Sequence, residues 1–489
     1  MNSSSELMQA GTEAYRGGRY EKAVTIFREL TLATPNDGEA LFLFGMALRK
    51  LERFRESEPL LRQAAELKPE SPEVLNGLGT VHNALGDYAQ AESCFSRAIK
   101  LDPEYADAFY NQGNACQRMQ EFEKARSCYQ QALKLNPRDH EAWTNLGKVH
   151  HELNQLEQAV AAHECALRIN PDFPLGHWNR AMALLTAGRL QEGFRDYEWR
   201  WRMGGEIFVP RNYTQPLWKG EPISERVLFI HAEQGFGDAL QFVRFVRQAR
   251  QRAAHVILEC PPALKRLFEY SECADALITL GQTPPTFDIY VPLMSLPGLF
   301  QTTLDTIPCP TPYLKPPSGD CAVTAPAHHL KIGLTWAGNA THDHDSLRSI
   351  PFKDLAPILQ TTGTVFYSLQ LPLSDSDEAN LRTVPNLVDA SRQLKDFGDT
   401  AAMINQMDLV ISVDTAVAHL AGALNKPTWT LLQHAPDWRW FLEHSDTPWY
   451  PSMRLFRQSV RGDWNGPIQQ ITAALKELVL SRESKPRSQ

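Results

Sequence analysis

"MDLVISVDTAVAHLAGALNKPTWTLLQ", residues 407–433, decides how the C-terminal part of this chain is read. Two apolar, β-branched runs, "DLVIS" and "TWTLL", flank a helix-forming stretch rich in alanine and leucine that ends at Asn425 and Pro427. Strand, helix, strand is the unit that joins parallel strands. Asp414 or Thr415 is placed to cap a helix beginning near Ala416. Such a helix starts at the C-terminal edge of its sheet, where free N–H groups and the positive dipole end favour an anion. Ala416 and Ala418 are small enough to let a phosphate come close, and His419 lies one turn further in. His419 reads either as a ligand-contacting residue or as a core histidine bonded to a carbonyl. An ionised Asp414 would repel an anion unless it points at backbone N–H groups.

The same alternation extends in both directions. "RVLFIHA", "HVILEC", "DALITL" and "DIYVPL" read as strands, and "DALQFVRFVRQARQRA" as a helix with Leu240, Val243, Phe245 and Val246 inward. After the proline-rich "PCPTPYLKPPSGDCAVTAPAHH", a second series runs through "LKIGLTWAG", "TVFYSLQL", "MDLVISV" and "TWTLLQ". "NGPIQQITAALKELVL" is a closing amphipathic helix with Ile468, Ile471, Leu475 and Leu478 on one face. Two Rossmann-like α/β halves are expected, 226–318 and 326–482, with a ligand site in their cleft.

Residues 1–205 follow a different rule. Pro35, Pro69, Pro103, Pro137 and Pro171 recur at a constant spacing of 34 residues. Gly11, Gly45, Gly79, Gly113 and Gly147 keep that period, as do Ala23, Ser57, Ala91, Ala125 and Ala159. Leu7, Leu41, Leu75, Phe109 and Trp143 mark a third register. This period and pattern resemble the tetratricopeptide repeat, an all-α solenoid of about six helix pairs with a concave groove. The small residues let paired helices approach, and the proline closes each unit. A sixth unit starts near Pro174 and departs at Gly193 and Arg200, as a terminal repeat would. Asn111, Asn145 and Asn179 share a register that faces the groove in that repeat family, so they are candidates to hold a protein or peptide partner; Asn76 is one position out of register. Residues 206–225 lack a helical period and read as a linker.

The 489 residues carry a formal net charge of -8 with both signs interspersed, which argues against a nucleic-acid partner. No apolar run reaches the length of a membrane span, and "MNSSSELMQAG" has no signal-like apolar segment, so a cytoplasmic location without a transmembrane segment is expected. The eight cysteines are scattered without a CxxC pair, which fits reduced thiols.

Three segments offer chemistry. In "HAEQGFGDALQF", Gly235 and Gly237 suit a tight turn with positive φ and close ligand approach, and Asp238 stands at a helix start facing the cleft or capping it. In "WAGNATHDHDSLRSIP", Arg348 is placed for a bidentate phosphate contact. The "DHD" at Asp343–Asp345 has the form of a metal-chelating DxD, but "DSD" at 375–377 shows how readily that pattern arises, and no metal is expected.

"GFGDALQF" and "VDTAVAHLAGALNKP" together, with "HAEQGFGD", "GLTWAGN", "RSIP" and "DWRW", resemble the ADP-heptose–lipopolysaccharide heptosyltransferase family, over 226–475. That resemblance implies a GT-B pair of Rossmann-like domains and a metal-independent, inverting glycosyltransferase. It has no cofactor beyond its nucleotide-diphospho-sugar donor substrate, and its acceptor is a glycan or a protein. It implies Asp238 as catalytic base, and Asp414, Thr415, Ala416 and His419 at the donor; Asn339 and Arg348 complete the candidate donor set. The lysine that serves the diphosphate in that family has no clear match, and the first half is short. Repeats joined to such a domain also look like a protein O-linked N-acetylglucosamine transferase. A non-catalytic repeat adaptor with a vestigial transferase domain is the alternative from another class.

Overall fold

The computed structural model describes residues 3–205, 208–309, 311–318, 323–339 and 345–483. The chain divides into two compact units, Met1–Arg180 and Ala181–Gln489.

The first unit is a run of helix pairs: Ser4–Arg16 with Tyr20–Ala33, Gly38–Lys50 with Phe54–Leu67, Pro72–Leu85 with Tyr88–Leu101, Ala106–Arg118 with Phe122–Leu135, and His140–Glu152 with Leu156–Ile169. Each periodic glycine lies under one large side chain of its partner helix: Gly11 under Phe27, Gly45 under Leu61, Gly79 under Phe95, Gly113 under Tyr129 and Gly147 under His163. A Cβ at these positions would come within 2.4–2.7 Å of those side chains. The 34-residue period is therefore a packing period, because each pair needs one site without a side chain to seat the large side chain opposite. Ser57, in the alanine register, keeps its place by donating to Gly45 O at 2.7 Å.

The division falls inside Pro174–Thr186, the first helix of the sixth repeat; its second helix, Leu190–Tyr197, lies in the second unit. There the Phe194 ring meets Phe242 and Trp438 edge-on. The segment read as a linker does more than connect. Tyr213 packs against Phe229, Phe287 and Tyr290, and Trp218 N–H donates to Tyr290 O at 2.8 Å. Tyr213 covers part of one face of the first sheet, and Trp218 is buried beside its edge.

The first sheet holds β1 (Ile223–His231), β2 (Ala253–Cys260), β3 (Ala276–Thr279) and β4 (Ile289–Pro292), all parallel, in the order β3-β2-β1-β4. The second holds β5 (Leu330–Thr335), β6 (Thr364–Ser368), β7 (Leu387–Asp389), β8 (Leu409–Val413), β9 (Thr428–Leu432) and β10 (Met453–Arg457). Its order is β10-β9-β8-β5-β6-β7, also all parallel. This is doubly wound topology, with the strand order reversing direction beside β5. The sequence reading missed β7, which is three residues long, and β10, whose arginines interrupt its apolar pattern.

The closing helix Asn465–Glu483 places Ile468, Ile471 and Leu475 in the core of the second half. The helix expected after β1 is broken into Phe236–Phe242, a 3-10 turn at Val243–Phe245 and Val246–Arg250. Its four expected inward residues are buried. Arg244 is buried with them, and its Nε donates back to Gln241 O at 2.8 Å across the break.

Candidate functional site

In the second half, β5 and β8 are neighbours, and the chain leaves their C-terminal ends in the loop Trp336–Asn339 and the turn Asp414–Thr415. The helix Ala416–Ala423 starts there, as the sequence suggests. Thr415 stands at its N-cap position with extended backbone, yet no side chain caps the first turn. Thr415 Oγ1 instead lies 3.1 Å from Ser412 Oγ. Its helix start is thus left without a side-chain acceptor at the crevice where doubly wound sheets bind ligands.

Asp414 is half-buried beside this turn. Burial and the nearby Asp437 carboxylate push it up to about 6, against the pull of Arg348 and Arg439. Arg348 Nε bonds Asp345 Oδ1 at 3.1 Å, and Asp345 Oδ2 accepts from Ser349 Oγ at 3.0 Å. Arg348 is thereby held against Gly338 of the β5 loop, and its charge reaches Asp414. Asn339 is exposed at the end of the β5 loop. Asp343 and His344 of the "DHD" pattern lie outside the described residues.

His419 is only 5% exposed. Its Nδ1 is 2.9 Å from Tyr450 Oη, its ring stacks on Trp440, and its Nε2 is 3.9 Å from Asp414 Oδ1. Burial, followed by the charges of Arg439, Arg244 and Arg348, holds its pKa well below the ordinary range, so the imidazole is neutral. Tyr450 now occupies the place expected for a ligand or a carbonyl.

In the first half, the turn after β1 delivers Asp238 to the start of Phe236–Phe242. Asp238 Oδ2 accepts the Gly235 N–H at 2.8 Å, and Oδ1 is bonded by Arg439 Nη2. Burial raises its pKa, opposed by Arg439 and by that N–H. Of the two readings, the helix-start bond is the one seen, and the same carboxylate pairs with Arg439 of the second half. The two glycines act differently from expectation. Neither has positive φ; Gln234 takes that conformation, at φ 62°. Gly237 is needed because the helix Ala416–Ala423 comes so close: a Cβ would lie 2.9 Å from His419 Cδ2. The close approach is made by the other half of the protein.

Several cross-half contacts were not legible. Arg244 Nη1 donates to Trp449 O at 2.8 Å and Nη2 to Tyr313 Oη at 2.9 Å, and its guanidinium lies 4.7 Å from the Tyr450 ring centre. Arg266 bonds Asp396 and Asp399, and Phe236 meets Phe397 at 5.1 Å. Arg439 stood in the quoted "DWRW" without a role. Its signal was an arginine between two tryptophans after an acid, a setting that stacks and pins a guanidinium. A groove of about 730 Å³ at the opposite edge of the second sheet, lined by His329, Lys353, Gly363 and Asn386, shares no residue with this cluster.

In the repeats, the amide ladder bonds partly to itself. Asn111 Nδ2 donates to Asn76 Oδ1 at 2.9 Å, and Asn145 Nδ2 to Asn114 Oδ1 at 3.1 Å and Tyr110 Oη at 3.2 Å. Asn76, out of register in sequence, is thus joined to the ladder. Asn179 Nδ2 is buried without a partner.

Among the described residues no helix is long and apolar enough to cross a membrane. Tetratricopeptide-repeat models match residues 8–72, 70–138 and 110–172, and the glycosyltransferase family 9 (heptosyltransferase) model matches 350–457. The chain is 26% identical over 340 residues to Protein FlbA of Caulobacter vibrioides, across 63% of this chain and 56% of that one. It is 32% identical over 103 residues to "Putative lipopolysaccharide heptosyltransferase 4" of Escherichia coli K12, across 21% of this chain and 26% of that one. The chain thus spans about half, or less, of the length of these curated relatives. Among solved structures, the MamA protein is 23% identical with TM-score 0.32, covering 35% of this chain and 92% of its own. PilW is 20% identical with TM-score 0.38, covering 42% and 93%. The chain is therefore built of tetratricopeptide repeats followed by a domain of the glycosyltransferase family 9 (heptosyltransferase) type.

Proposed function

We propose that this protein is an inverting glycosyltransferase that moves a sugar from a nucleotide-diphospho-sugar to a hydroxyl acceptor, with repeats that hold a partner or acceptor protein. The family 9 match supports transfer in general. The observation that carries the donor site is the uncapped start of Ala416–Ala423 at the β5–β8 crevice, with Arg348 packed against Gly338 of the adjoining β5 loop. N–H groups and a guanidinium there would stabilise the charge that develops on a departing diphosphate. The acceptor oxygen attacks the anomeric carbon as the sugar–phosphate bond breaks, and Asp238 takes the hydroxyl proton. Asp414, near half-protonation close to pH 6, repels a diphosphate less than an ordinary carboxylate would and can instead bond a sugar hydroxyl.

Two observations favour the adaptor reading. Asp238 has both oxygens engaged, and the first half is built on four strands. Melting curves with ADP, GDP and UDP separate the two. At least one nucleotide is expected to raise the melting temperature, and Arg348→Glu should remove that rise. Three flat responses would favour the adaptor.

A further inference from the structure

The acid assigned as base is already engaged at both oxygens. One oxygen holds the Gly235 N–H and the other holds Arg439. Arg439 is itself over-committed to acids: its Nη1 bonds Asp437 Oδ1 at 2.8 Å, and its backbone N–H bonds the same oxygen at 3.0 Å. Its guanidinium lies 4.5 Å from the Trp438 ring centre. Only 8% of the residue is exposed, and Nε is buried with no acceptor. A buried guanidinium N–H left unbonded is costly. The loop that carries it follows β9, next to β8, and its charge acts on both Asp414 and His419. One cation therefore bonds the acid of the first half and bears on Asp414 at the start of the uncapped helix of the second.

We propose that Arg439 is a positioning residue that couples the two halves: the donor's diphosphate takes over its guanidinium, and this releases Asp238 to act as base. This rests on the donor site proposed above. The exchange is of ion-pair partners and involves no covalent step. The diphosphate offers acceptors to Nε as well as Nη2, so the orphaned donor is satisfied at the same moment. Asp238 is then left with the Gly235 N–H, the Asp437 carboxylate, neutral His419 across Gly237 and the buried Tyr197. None of these is a cation, so burial and Asp437 raise its proton affinity and make it a better base.

Isothermal titration of ADP, GDP and UDP into the full chain tests this. Asp238 competes with the diphosphate for Arg439, so Asp238→Asn should tighten nucleotide binding. Arg439→Gln should weaken it about tenfold or more, the scale of one charge-assisted hydrogen bond. In the Arg439→Gln background, Asp238→Asn should no longer tighten binding. A purely structural Arg439 would not produce opposite signs or that loss of coupling. If Arg439→Gln fails to fold, Arg439→Met, apolar and of similar length, takes its place as the second background. Unchanged or weaker binding in Asp238→Asn, or equal tightening in both backgrounds, overturns the coupling and leaves the donor site standing. A wild-type chain that binds none of the three nucleotides overturns the donor site and the coupling with it.

Discussion

The two α/β halves use the same device and finish it differently. Each sends a strand into a turn and starts a helix at the C-terminal edge of a parallel sheet. In the first half the helix start is closed from within, because Asp238 reaches back to Gly235 N–H. In the second half Thr415 turns away to Ser412, and the start stays uncapped. A closed start concentrates negative charge; an uncapped one concentrates partial positive charge. The two halves therefore divide the labour, with acid on one side and anion site on the other. They meet where Gly237 passes over His419.

The division can be broken most directly at Asp238. Asp238→Asn should lower sugar transfer by about 10²–10⁴-fold, the range of a lost general base, measured as nucleoside diphosphate release from the responding nucleotide sugar. Asp414→Asn should cost much less, since the second half binds and does not take the proton. Equal losses would end the comparison.

The contact between halves is tested by a pair of glycine substitutions. Gly237→Ala drives a methyl group into the His419 ring and should destabilise by about 1–3 kcal/mol, visible as a lowered melting temperature. Gly235→Ala meets only Asp238 Oδ2, at 3.2 Å, in a conformation any residue adopts, and should cost less. Gly79→Ala provides the same measurement in the repeats, where the methyl group would meet the buried Phe95.

The smallest effect concerns pH. Asp414 sits at about 6 in the folded chain, above its unfolded value of about 3.9. The folded state therefore binds the extra proton, and this group's contribution to stability falls as pH rises through about 4 to 6. Asp414→Asn should flatten that decline in a pH series of melting curves. It should also reduce the fall in nucleotide affinity over the same window, because the ionised carboxylate repels the diphosphate.

Much of the fold was legible because each element carries its own period. Glycine, alanine and proline at constant spacing gave the solenoid, and apolar runs separated by amphipathic stretches gave the parallel sheets. Short β7 and arginine-interrupted β10 escaped, since edge strands bury less and show weaker patterns. Of the candidate site, the turns at Asp238 and Asp414 could be placed, because a strand-to-helix turn depends on neighbours in sequence, although the cap expected from Asp414 or Thr415 is not formed. Arg439, Tyr450 and Arg244 could not, because their roles depend on partners far along the chain.

By itself, then, the sequence determined the repeat, the two α/β halves and the helix that starts at "DTAVAH", all of which follow from local propensity and period. Only the tertiary structure decided that His419 is a neutral core residue, that Gly237 serves the opposite half, and that Asp238 is tied to Arg439. Those outcomes depend on which surfaces are brought together and how deeply they are buried, and burial is what sets both the charge state of an acid and the room left beside a glycine.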